Sequence, residues 1–138
     1  MYLIGFPLLL IPFAIYNIIA YLFGAGFNDT LISVPMLSRT TLAVTTSDLL
    51  LILAIGLLFI EILKATRFGT KAIVDHILSL VLFIVMVGEF MIFSRAATST
   101  FLLLVVISFV DVVAGFSVSI RTAQRDIGLG GDIEQHLR

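Results

Sequence analysis

FLLLVVISFVDVVAGFSVSI, residues 101–120, decides the fold of this chain: twenty residues with a single charge, Asp111. As a helix rising about 1.5 Å per residue, such a stretch matches the ~30 Å hydrocarbon core of a bilayer. Three more apolar stretches, 2–23, 49–63 and 77–93, fill most of the remaining chain. The 138 residues are 60% hydrophobic and 12% charged, with a mean hydropathy of +1.20. The expected fold is therefore an all-α, integral membrane four-transmembrane-helix bundle. Its helices are placed at about 2–23, 48–66, 75–94 and 99–125, followed by a flexible tail over 126–138. The polar stretches between them are too short for a soluble domain with its own core.

Composition removes whole function classes. Cysteine is absent, so disulfides, thiolate metal sites and cysteine nucleophiles go together. A net charge of −1 gives no field to recruit nucleic acid. No Ser–His–Asp set, zinc-protease motif or phosphate-cradling glycine loop occurs. Of two histidines, only His76 falls at a helix, which excludes a haem held by two helix histidines of one chain. Neither enzyme chemistry nor a cofactor is expected. The first stretch has no basic residue before its apolar run, unlike a secretory signal, and reads as a retained spanning helix.

The basic residues set the expected topology. Six of the eight Lys and Arg, namely Lys64, Arg67, Lys71, Arg121, Arg125 and Arg138, fall in the connection 64–74 and the tail. Arg39 and Arg95 fall in the other two connections. By the positive-inside rule both termini face the cytoplasm, N-in and C-in, in a bacterial inner (cytoplasmic) membrane. Lys64, Arg67, Lys71, Arg121 and Arg125 are candidate lipid headgroup contacts. The connection 24–47 reads as an interfacial loop or a partner-binding cap. The glycines at 128, 130 and 131 are expected to break the last helix.

Helical spacing gives each span a small or polar stripe that should face protein. The stripes are Phe13-Asn17-Ala20-Gly24; Ser47-Leu51-Ala54-Leu58-Glu61-Ala65; Asp75-Ser79-Leu82-Met86-Glu89-Phe93; and Thr100-Leu104-Ser108-Asp111-Gly115-Ser119-Thr122. Depth, at ~1.5 Å per residue, pairs Asn17 with Glu89 and Glu61 with Asp111. Carboxyls at these depths cost about 2.5–3.5 kcal/mol on insertion scales, so each needs a partner or a use. Asp111, Glu89, Glu61 and Asn17 are thus candidates for a proton or cation site, or for a clamp between helices. Lys64 can pair with Glu61 three residues earlier. Asp48 is expected to N-cap the second helix, and Asp75 to begin the third.

Two functions are compatible with this pattern. The first is a non-enzymatic accessory or scaffold subunit, partnered by the lipid bilayer and by self-association or a larger membrane complex. The second is a small proton- or cation-conducting channel or transporter using Asp111 with Glu61 or Glu89.

Overall fold

The computed structural model describes residues 6–24, 26–66 and 70–137. Four helices appear in chain order: α1 (Leu10–Leu22), α2 (Thr46–Lys64), α3 (Thr70–Ile92) and α4 (Ser99–Leu137), with a turn of 3-10 helix at Ser94–Ala96. Three are long and apolar enough to cross a membrane, over Thr46–Lys64, Ile73–Ile92 and Ser99–Arg121. At 13 residues, α1 is only about 20 Å long. Pro12 sets its late start: it has no N–H to donate to Leu8 O, so the first α-helical bond runs from Phe13 N–H to Leu9 O at 3.3 Å. Residues 7–9 form a turn, with Leu10 N–H donating to Pro7 O at 3.0 Å. Pro12 falls in the first turn of α1, where a missing donor costs nothing, and is buried. At the other end α1 stops before Gly24, whose φ of 67° is the left-handed geometry that closes helices.

α4 is the central element. It packs against α2 on one side and α3 on the other, while α1 rests on α2 and touches α4. The buried positions of α3 are Asp75, Ser79, Leu82 and Met86, and those of α4 include Thr100, Leu104, Ser108 and Asp111. These are the stripes expected from spacing. On α1 the buried face centres on Tyr16 and Ala20, one residue from the expected Asn17. Phe93 and Gly24, placed at stripe ends, are exposed. The large apolar side chains on the opposite faces, such as Ile52, Phe59, Ile84 and Phe109, are exposed, as lipid contact requires.

The fold is not purely helical. β1 (Thr30–Pro35) and β2 (Thr41–Thr45) form an antiparallel hairpin where a loop was expected. Its turn closes through Arg39 N–H to Met36 O at 3.1 Å and Met36 N–H to Thr40 O at 2.8 Å. Arg39 takes the left-handed position, with φ 63°, that this turn usually gives to glycine. β2 runs directly into α2. Thr45, not Asp48, is the N-cap, and Asp48 completes a reciprocal capping box from the third helical position. Phe27 anchors the preceding segment, since its carbonyl accepts from Ser47 N–H at 3.0 Å.

Two further boundaries differ from expectation. α3 begins at Thr70, so Asp75 lies in its second turn rather than at its start. α4 continues as helix through positions 128, 130 and 131 to Leu137, without the break expected at those glycines. Each glycine there costs only about 1 kcal/mol of helix propensity, which a long preformed helix can absorb.

Candidate functional site

The end of the bundle away from the hairpin is built around the broken start of α1. Residues 6–9 are not helical, so their backbone groups need partners from elsewhere. Glu61 and Lys64, one turn apart on α2, face this segment. The Leu8 N–H donates to Glu61 Oε1, and Lys64 Nζ donates to Phe6 O at 2.9 Å. Lys64 also pairs with Glu61 Oε2 at 3.4 Å and with Asp75 Oδ2 of α3 at 3.7 Å. Its side chain is 9% exposed. A residue expected among lipid headgroups thus ties the segment before α1 to α2 and α3.

α4 adds a third carboxyl. Asp111 is buried, hydrogen-bonded to Ser79 of α3 and within electrostatic range of Glu61, Lys64 and Asp75. Among the described residues no ion pair reaches it. One turn towards the hairpin end, Ser108 is buried with its Oγ unpartnered among the described residues. Glu61 and Asp111, matched by depth, come within electrostatic range of each other in a wider cluster, while the hydrogen bond to Asp111 comes from Ser79. That cluster includes Asp75 and Ser79, to which the sequence assigned no joint role.

A second chain of contacts closes the same end. His76 Nε2 meets Ser119 Oγ at 2.5 Å, and Ser119 Oγ donates to Ala65 O at 3.4 Å, at the end of α2. Gly115 makes the approach of α3 to α4 possible, because a Cβ there would lie 2.9 Å from His76 Nδ1. Spacing marked Gly115 and Ser119 as facing protein. It gave no means of knowing that His76 was the group they face.

At the hairpin end, Asn17 Nδ2 donates to Glu89 Oε2 at 3.4 Å and to Phe13 O at 3.0 Å. The structure brings the expected pair together, apart from the acid cluster. A bond this long is weak, and hydrogen bonds between membrane helices are worth about 0.6–2 kcal/mol. Asn17→Leu should therefore lower stability by less than about 1 kcal/mol, as read by unfolding in mixed micelles. A loss several times larger would show that Asn17 does more than this bond. The stronger joint beside it is Tyr16, fully buried. Its hydroxyl donates to Arg95 O at 2.8 Å and meets Thr98 Oγ1 at 2.7 Å. Its ring stacks on Phe27 at 4.6 Å and meets Phe101 edge-on at 4.9 Å.

Of the candidate headgroup contacts, Arg121 and Arg125 are exposed on α4. Arg67 lies outside the described residues, as does the side chain of Lys71. Among the described residues no group of three or more His, Asp or Glu side chains is arranged to hold a metal ion. The arrangement links α2, α3 and α4 with the segment before α1 through these side chains. No family model, curated protein or solved structure matches the chain.

Proposed function

We propose that this protein is a non-enzymatic membrane subunit, N-in and C-in with α1 as a fourth crossing, that works by assembling with copies of itself or with a larger membrane complex. One observation carries this reading: the polar groups that could do chemistry are engaged in holding helices. Glu61 and Lys64 bind the backbone of residues 6–8, and Lys64 joins α2 to α3. Ser79 holds Asp111, and His76 with Ser119 ties α3 to α4 and α2. A site so committed supports a scaffold better than a turnover site, where at least one reactive group must be free for substrate. Native mass spectrometry from mild detergent or nanodiscs tests it. A homo-oligomer or a reproducible membrane partner is expected; a lone monomer with no co-purifying protein sinks the reading.

A second reading is favoured by the charge count. Among the described residues Lys64 pairs with Glu61 and Asp75 while no ion pair reaches the buried Asp111, and an unbalanced charge is costly in low dielectric. Protons or a monovalent cation could supply the balance, which is the starting condition for a conduction or coupling site. Proton and cation flux into liposomes decides this. Loss of a measured flux in Asp111→Asn supports the second reading, and flux unchanged by that substitution removes Asp111 from any pathway.

A further inference from the structure

α2 has no length to spare. Its 19 residues span about 28 Å, against a hydrocarbon core of ~30 Å. Its first turns must therefore lie within the membrane. The hairpin does not stand clear of them. An open groove of about 390 Å³ is lined by Leu42, Ala43 and Val44 of β2 and by Leu51, Ile52 and Ile55 of α2, with Asp48 at one end. Ile55 is nine residues into α2, roughly 14 Å along the axis. The hairpin thus lies beside the first turns of α2, at the depth of the adjoining leaflet.

That position is hard to reconcile with a single copy. A two-stranded sheet leaves a row of unpaired N–H and C=O groups along the outer edge of each strand; β2 lies beside α2 across the groove, whereas every residue of β1 is exposed. Open sheet edges do not occur facing hydrocarbon, because no water satisfies them. The side chains fit burial rather than solvent. Neither strand contains a charged residue, so the usual edge protection by Lys or Glu is missing. Ile32 opposes Val44 and Val34 opposes Leu42, which makes one face wholly apolar. Ile32, Val34 and Leu42 are 40–51% exposed on it.

We propose that two copies of this chain pair their β1 strands antiparallel about a two-fold axis, giving a four-stranded sheet β2-β1-β1-β2 beside the membrane ends of α2. The inference rests on the reading of the chain as an assembling subunit and names its surface. A second copy fits because β1 carries no charge, so the symmetric pair places no like charges opposite each other. The irregularity between Thr30 and Ile32 and the missing N–H of Pro35 limit the pairing to the middle of the strand. That puts Ser33 nearest the axis.

The chain has no cysteine, so a single introduced thiol reports alone. Ser33→Cys, in the full chain in native membranes, should form a disulfide-linked dimer under mild oxidation. Leu63→Cys, at the other end of α2, should form at least tenfold less. Ser33→Asp places two like charges at the axis and should lower the dimer fraction at least tenfold with an unchanged unfolding temperature. Absence of the Ser33 disulfide, a dimer undiminished by Ser33→Asp, or a Ser33 adduct to a different protein each overturns self-pairing. The failures are separable: an oligomer in native mass spectra without the Ser33 disulfide refutes this surface alone, whereas a strict monomer refutes the assembly reading too.

Discussion

Lys64→Met should destabilise the bundle by about 3–5 kcal/mol, the usual cost of leaving buried charges without their counter-charge. Lys64 is the one cation paired with Glu61 and Asp75 among the described residues, and it also satisfies Phe6 O. Methionine keeps most of the volume, so the loss reads charge and hydrogen bonding rather than a cavity. Unfolding by added SDS in mixed micelles gives the number. Adding Glu61→Gln to Lys64→Met should recover part of the loss, because it removes the carboxylate charge that Lys64 balanced, and contacting residues do not combine additively. A shift under 1 kcal/mol, or a double variant worse by the full sum of the two single effects, would show that the cluster is hydrated and the pairs are weak.

Tyr16→Ala should cost a comparable amount, about 3–5 kcal/mol, as for other large aromatic truncations in cores. The ring is in contact with Phe27 and Phe101 and cannot be replaced by lipid at a fully buried position. Tyr16→Phe separates the two contributions. It keeps the ring and removes only the bonds to Arg95 O and Thr98 Oγ1, so about 1–2 kcal/mol should be lost. The same unfolding assay checks both. If Tyr16→Ala and Tyr16→Phe fall together, the hydroxyl rather than the ring stack closes the hairpin end.

These expectations concentrate on residues that the sequence presents unevenly, and the reasons are physical. Ser79, Leu82, Met86, Leu104, Ser108 and Asp111 were legible as inward-facing, because a straight helix repeats its face every 3.6 residues and a hydrocarbon surround leaves small and polar groups no other place. α1 was legible only coarsely. Its face depends on where the helix starts, and Pro12, with no N–H for Leu8 O, shifts that start to Leu10. The roles of Glu61 and Lys64 were half visible: spacing shows the pair, but the backbone groups they bind exist only because α1 is broken 53 to 58 residues earlier. Asp75 was placed at a helix start because a carboxylate suits that position, and nothing local shows that Lys64 reaches it across the connection. The hairpin had its signal in the β-branched residues Thr30, Ile32, Val34, Thr41, Val44 and Thr45. What hid it was the turn, where Arg39 occupies the left-handed position and no Asn-Gly or Asp-Gly marks the reversal.

The stitched start of α1 bears on how the chain is made. During synthesis, Phe6 and Leu8 leave the ribosome long before Glu61 and Lys64 do. Until α2 has been translated, the first segment carries unpaired backbone groups that lipid will not accept. With α1 as the proposed fourth crossing, its place in the bilayer waits for the second segment, and the two should leave the insertion machinery as a pair rather than one by one. Stalled nascent chains give the readout: those too short to carry Glu61 and Lys64 clear of the ribosome should remain extractable by alkali, and those long enough to do so should not.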